Sequence, residues 1–160
     1  MVLSDKEIAS ANKNGELGIH PPGFRLNPAG VDLRIDRDIR LKPKQQLLVA
    51  SIERVELSSR IVGFLHLRSS LAREGLIASL ALVDPGFRGQ LTVSLYNSGD
   101  STVNLAKGER FIQLSLLRLG KPAIKEYRGR YQNSSGVVAS RRRKKHTRLK
   151  MESVIHGSSG

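Results

Sequence analysis

Residues 80–97 read LALVDPGFRGQLTVSLYN. Apolar and polar residues alternate on both sides of DPGFRG, and a period of two is the pattern of a half-buried strand. Asp-Pro-Gly forms turns: Pro presets φ, Gly accepts a positive φ, and an Asp side chain can bond the backbone beyond it. The stretch therefore predicts two strands around a tight turn. It carries one carboxylate, Asp84, and the neighbouring acids along the chain are Glu74 and Asp100. Asp84 has two readings. One is a turn former, which its neighbours account for. The other is a general base at a strand corner, where such a group contributes roughly 10²–10⁴-fold to a hydrolysis.

Working outward, the same period recurs. VDLRI (31–35), QLLVASIERVEL (46–57), RIVGFLHLR (60–68), LIASLALV (76–83), QLTVSLYN (90–97) and RFIQLSLLRL (110–119) read as strands, and SSR, DPGFRG, NSGDS and AKGE supply turns. Strands at about ten-residue spacing predict an all-β sandwich, jelly roll or barrel. There is no βαβ pattern and no internal repeat. Ahead of the strands, SDKEIASANKNG (4–15) predicts a short helix. Ser4 and Glu7 have capping-box spacing, Ile8 and Ala11 share a face, and Gly15 is the stop. GIHPPGFRLNPAG (18–30) is dense in Pro and Gly and reads as loop or irregular strand. The strand pattern ends near Lys121. The expected organisation is a β domain over 1–120, a C-terminal arm over 121–140, and a basic, disordered tail over 141–160.

Composition narrows the function classes. With 39% hydrophobic residues in 160, the chain is long enough for one domain with a core. It has no Cys, which excludes disulfides, thiolate zinc sites and cysteine nucleophiles. His20, His66, His146 and His156 have no ligand spacing. No apolar run reaches the length of a membrane span and no signal peptide opens the chain, so the expectation is a cytoplasmic protein without a membrane partner. The net charge is +13, of which the seven Lys/Arg and one Glu of 141–160 supply +6. A basic body suits an anionic ligand such as a nucleotide or nucleic acid, and equally a charge-rich surface with no ligand.

Three more segments carry chemistry-bearing side chains. RSSLAREG (68–75) gathers two Arg, two Ser and several backbone amides, which can bind phosphate oxygens; a short helical turn capped by Ser69 or Ser70 explains it as well. AGVDLRI (29–35) puts Asp32 at a strand start, where Asp is depleted. It satisfies a turn, or holds a water on a hard cation such as Mg²⁺. RGRYQNSSG (128–136) combines cations, a ring and hydroxyls that can close over an anion, or simply stay solvated.

Together, LSDKEI, AGVDLRI, RSSLAREGL, VDPGFRGQLTVSLYNSG, GERFIQL and RYQNSSGVVASR resemble the dCTP deaminase/dUTPase superfamily, over residues 2 to about 141. LSDKEI and RYQNSSGVVASR resemble the deaminase branch; the GQL…GERFIQL portion resembles a trimeric dUTPase. The resemblance implies a distorted jelly-roll subunit in a homotrimer, with active sites between subunits, each closed by an arm. It implies a deoxynucleoside triphosphate substrate, with Mg²⁺ on its phosphates. It puts Asp84 at the acid that orients the attacking water, and Phe87 at the ring that stacks on deoxyribose and leaves no room for a 2′-OH. Arg68, Ser69, Ser70 and Arg73 match the phosphate motif, and Gln113 the Gln of a later motif. Tyr127, Arg130 and Ser134 lie near arm positions that contact nucleotide, with Ser134 in place of a Gln and a shorter spacing before Arg130. Asp32 matches an acid placed on Mg²⁺-bound water.

One departure separates the branches. Deamination needs a base to activate water and an acid to protonate the leaving nitrogen. Deaminases of this superfamily are implied to use a Glu on the strand after the DPG turn, where this chain reads VSLYN with Ser94. A hydroxyl is far too weak an acid and base to shuttle protons near neutral pH, and neither Gln90 nor any other residue of that strand replaces it. Hydrolysis of dUTP at the α-phosphorus needs one positioned carboxylate and cationic groups for the pyrophosphate. The expectation is thus an archaeal-type dUTPase acting on dUTP. Two alternatives stay open: a dCTP deaminase borrowing an acid such as Glu74, and a silent nucleotide- or nucleic-acid-binding homologue whose tail, RRRKKHTRLK, touches phosphates non-specifically.

Overall fold

The computed structural model describes residues 1–142. Helix α1 (Asp5–Lys13) starts where the capping box requires. The Glu7 carboxylate accepts from the Ser4 N–H at 2.8 Å, and the Ser4 hydroxyl accepts from the Glu7 N–H at 3.4 Å. The Ser4 N–H and, at 2.9 Å, the Ser4 hydroxyl both donate to the Glu7 carboxylate and hold it below its ordinary range. Ile8 and Ala11 turn into the core, and Gly15 follows the helix at φ +73°.

Eleven strands follow: β1 (Leu17–His20), β2 (Arg25–Asn27), β3 (Gly30–Arg34), β4 (Ile39–Leu41), β5 (Gln46–Leu57), β6 (Ile61–Leu67), β7 (Leu76–Ser79), β8 (Leu82–Val83), β9 (Arg88–Asn97), β10 (Val103–Leu105) and β11 (Arg110–Arg118). A short helix α2 (Ser69–Arg73) joins β6 to β7. One sheet has the order β1-β5-β9-β7 and a second β2-β3-β11-β6-β8, while β10 and β4 form a small ladder. All pairings between these strands are antiparallel. Alternate residues of both large sheets meet in one core, with Val31, Leu33, Val55, Leu95, Phe111, Leu114 and Leu116 among its members. This is the mostly-β, distorted jelly-roll architecture expected from the period-two pattern, with its N-terminal helix.

Two predicted elements change. LIASLALV is two strands in different sheets: β7 pairs with β9, and β8 pairs with β6. Leu80 and Ala81, both exposed, form the crossing, because a chain passing between sheets must leave both ladders. α2 is capped by neither Ser69 nor Ser70; Arg68 is its N-cap residue, with no side-chain bond to the helix. The Pro/Gly-rich 18–30 segment contributes β1 and β2, and β4 and β10 lie where three-residue ladders are too short for a period to register.

The sheets are joined at a buried ion pair. The Glu53 carboxylate, fully buried, accepts from the Arg34 Nε at 2.6 Å and the Arg34 N–H at 2.8 Å. Close by, β5 bulges: its register with β9 shifts between Ala50 and Arg54. Three residues there, 51–53, face the single β9 residue Leu91.

Candidate active site

The candidate residues fall into two groups. The first lies on the outer face of the five-stranded sheet. Pairing aligns Arg25 with Asp32, Asp32 with Gln113, and Gln113 with His66, so one row crosses β2, β3, β11 and β6. Residues directly opposite share a face. Arg68 follows two residues after His66, and its Nε lies 3.5 Å from Asp32 Oδ2, while its Nη1 donates to the Arg110 carbonyl at 3.2 Å. Ser69, Ser70 and Arg73 are exposed on the adjoining α2. Cations, an amide and hydroxyls thus collect on one surface, which suits an oligophosphate.

Asp32 does not fit as a magnesium holder. It is 4% exposed, its Oδ1 accepts from Asn27 Nδ2 at 2.7 Å, and its Oδ2 faces Arg68. Both oxygens are engaged, leaving almost no surface for a hydrated cation. Among the described residues, no group of three or more His, Asp or Glu could hold a metal. Asp32 instead positions Arg68.

The second group is the DPGFRG turn with the arm. The turn is closed main chain to main chain, the Phe87 N–H donating to the Asp84 carbonyl at 3.0 Å, with Gly86 at φ +85°. These are the marks of a type II turn. The Asp84 side chain takes no part. It is exposed and has no hydrogen-bond partner among the described residues, so the turn-former account of its carboxylate does not hold.

Around this turn the arm packs in cis. Gln132 accepts from the Arg88 N–H at 2.8 Å and donates to the carbonyls of Gly86 and Tyr127. The Tyr127 N–H donates to the Pro85 carbonyl, and its ring sits 5.7 Å from that of Phe87 at 59°. A Cβ on Gly86 would lie 2.5 Å from Glu126 Cβ, and one on Gly89 2.8 Å from the Ser134 nitrogen. Both glycines of the turn therefore admit the arm.

This packing revises three expectations. Phe87 is 8% exposed, a core residue under Tyr127 rather than an open platform for a sugar. Ser134 is 6% exposed and its hydroxyl donates to the Tyr131 carbonyl, so it is committed within the arm. Arg130 donates to the Arg141 carbonyl at 2.8 Å and the Arg141 guanidinium returns a bond to the Arg130 carbonyl. The arm therefore extends through Arg141, past the expected boundary at 140; the rest of the tail expectation, from residue 143, lies outside the described residues.

The two groups do not meet within one chain. β8 pairs with β6 at Val83–Gly63, which places Asp84 beside Val62. Arg68 is six residues further along that strand direction, about 20 Å at the usual rise per residue.

Ser94 lies on the outer face of β9 with Gln90 and Thr92. Its Oγ accepts from Gln46 Nε2 at 2.7 Å. No Asp or Glu occurs on β9, and Glu74 lies beyond its far end, after α2, with its carbonyl against Gly99. The β7–β9 ladder stops at Ser79–Ser94, and the arm bridges at Ser134–Gly89. Leu91 N–H points to β5 and Gln90 N–H to the arm. By alternation, Thr92 directs its main-chain N–H and C=O into the gap between β7 and the arm. Sequence reading missed this edge, the row that brings His66 beside Gln113, the Asn27 bond to Asp32, and the anchoring side chains Gln132 and Gln90. The face shared by Gln90, Thr92 and Ser94 follows from period two; their partners depend on non-local pairing.

Residues 36–119 match the model of the dCTP deaminase-like family. The chain is 42% identical over 134 residues to a dCTP deaminase of Pyrococcus furiosus, covering 74% of this chain and 86% of that protein. It is 36% identical over 157 residues to a probable deoxyuridine 5'-triphosphate nucleotidohydrolase of Sulfolobus islandicus rod-shaped virus 1, covering 88% and 99%. Among solved structures, EIAV dUTPase superposes with a TM-score of 0.58 at 23% identity, covering 69% of this chain and 95% of that one. Staphylococcus bacteriophage 80alpha dUTPase with dUPNHPP superposes with a TM-score of 0.59 at 18% identity, covering 71% and 88%. The likeness to the solved structures shows the fold; the family match and the sequence identity go further, and the chain belongs to the dCTP deaminase-like family of the dCTP deaminase/dUTPase superfamily.

Proposed function

We propose that the protein hydrolyses dUTP to dUMP and pyrophosphate. Water attacks the α-phosphorus, the pyrophosphate oxygen leaves, and Asp84 orients the water and takes its proton. The observation that carries this reading is Ser94. Where the resemblance implies a deaminase Glu, β9 has a hydroxyl held by Gln46 and no carboxylate anywhere along it. Removing the 4-amino group of cytosine requires a proton delivered to nitrogen and a water deprotonated beside it, and this strand supplies neither. Hydrolysis at phosphorus asks only for one free carboxylate, which Asp84 is, and for cations on the leaving group.

The triphosphate is taken by Arg68, Ser69, Ser70, Arg73 and Gln113, with Arg130 and Tyr127 brought by the arm. The base pairs with the free β9 edge at Thr92. Uracil can use O4 and N3–H there, and cytosine N3 and N4–H, so that edge admits both bases and the chemistry is decided at Ser94. Magnesium travels with the triphosphate, and no step runs through a protein-held metal. The phosphate group and Asp84 are about 20 Å apart in one chain. A complete site therefore joins one chain's phosphate surface to another's turn, as in a homotrimer.

A dCTP deaminase is the second reading. The names of the relatives favour it: the Pyrococcus protein is a dCTP deaminase, and an Aquifex aeolicus protein 33% identical over 170 residues is a dCTP deaminase, dUMP-forming. Asp84→Asn tests the first reading. Pyrophosphate release from dUTP should fall by roughly 10²–10⁴-fold while nucleotide binding changes by less than about threefold. An unimpaired variant would remove Asp84 from the chemistry.

A further inference from the structure

Gln90 stands on the outer face of β9, and its side chain is engaged on every side. Nε2 donates to the Ser51 carbonyl at 2.8 Å and the Ile52 carbonyl at 3.2 Å. Oε1 accepts from the Gly136 N–H at 2.6 Å and the Ser135 hydroxyl at 3.4 Å. The two carbonyls belong to the β5 bulge, where three residues face one and the regular ladder is interrupted. The two donors belong to the arm. A primary amide has two donor hydrogens and an acceptor oxygen with two lone pairs, and this one uses all of them. Glu would lack the donors, Lys the acceptor, and Met both.

The same segment of arm runs beside β9 for several residues. The Asn133 N–H donates to the Arg88 carbonyl at 2.7 Å, the Gln90 N–H to the Ser134 carbonyl at 2.9 Å, and the Val138 N–H to Thr92 Oγ1 at 3.1 Å. Asn133 Oδ1 also accepts from Arg54 at 2.9 Å. Gln90 is the member of this set that reaches both the arm and the bulge of the neighbouring strand.

We propose that Gln90 is a positioning residue that docks residues 133–138 of the arm on β9 and fixes that docking to the β5 bulge. Closure of the arm then depends on the local shape of β5: Phe87 and Gln132 seat Tyr127, and Gln90 holds the segment that follows Tyr127 and Arg130. The effect on turnover rests on the dUTP reading above; the docking does not.

Limited trypsin digestion without nucleotide tests the docking, with cleavage after the exposed Arg128 and Arg130 read by mass spectrometry. Gln90→Met, which keeps length and removes every hydrogen bond, should accelerate cleavage there by about tenfold, the change that goes with loss of roughly one or two net hydrogen bonds. Its KM for dUTP should rise severalfold with kcat within about twofold. Cleavage at the wild-type rate, or an unchanged KM, overturns the proposal. Amide hydrogen exchange on the wild-type protein decides the docking even if the variant does not fold: the Gly136 N–H should exchange at least about tenfold more slowly than an open chain, and exchange at the open-chain rate overturns it. Should the wild-type protein leave dUTP intact, the functional reading fails, while digestion and exchange still decide the docking.

Discussion

Asp84 and Ser94 sit ten positions apart, one in the turn after β8 and the other on β9, and the account of the chemistry turns on what each side chain touches. Asp84 is a turn residue whose carboxylate the turn does not use, because Pro85 and Gly86 close it through the main chain. An exposed carboxylate with no partner among the described residues is available to a ligand. Ser94 is the opposite case: its hydroxyl is already a partner of Gln46. Removing that hydroxyl should therefore matter little. Ser94→Ala is expected to keep kcat on dUTP within about threefold and to cost about 1 kcal/mol or less of stability, the net worth of one hydrogen bond. Steady-state pyrophosphate release and a denaturant titration measure both. A loss beyond a hundredfold in a folded variant would put the Ser94 hydroxyl into the reaction and contradict the reading.

At the level of strands and turns, periodicity carried far. QLLVASIERVEL is β5 to the residue, and the capping box at Ser4–Glu7 starts α1 as expected. Both are local: a period or a cap is decided by residues within a few positions. What the sequence left illegible is non-local. The split of LIASLALV depends on which sheet each half joins, and the burial of Phe87 depends on Tyr127, forty residues on, settling over its ring. Gly86 shows both kinds. Its positive φ was readable from DPG, but its second reason is the arm: a Cβ there would lie 2.5 Å from Glu126 Cβ and 3.0 Å from the Tyr127 nitrogen. Gly86→Ala should destabilise the turn by more than about 1 kcal/mol, because Ala is strained at φ +85°. It should also displace the arm. Trypsin sensitivity at Arg128 would rise and dUTP turnover would fall; a variant with wild-type digestion and turnover would show that the arm does not depend on this close approach.

For the molecule as a whole, the separation of the two residue groups is the central geometric fact. Arg68 with Asp32 and Gln113 occupies one end of β6, and Asp84 the other. The motifs put the candidate residues in one series along the chain, but their division between two surfaces could not be read from motif order, since it follows from β8 crossing to β6. If each site joins two chains, two inactive variants should repair one another. Arg68→Ala and Asp84→Asn, each inactive alone, are expected to regain roughly a quarter of wild-type activity when unfolded together in equal amounts and refolded, because a quarter of sites would then draw both intact residues. A site contained in one chain would give no recovery.

The most direct measurement of the central claim is product separation from dUTP and dCTP incubated side by side with the full-length protein and Mg²⁺. The account predicts dUMP and pyrophosphate from dUTP, with dCTP recovered unchanged and no ammonia released. Ammonia from dCTP at a rate comparable to dUTP hydrolysis would mean that a chain with Ser94 on this strand still moves the protons of deamination, and the account would be wrong.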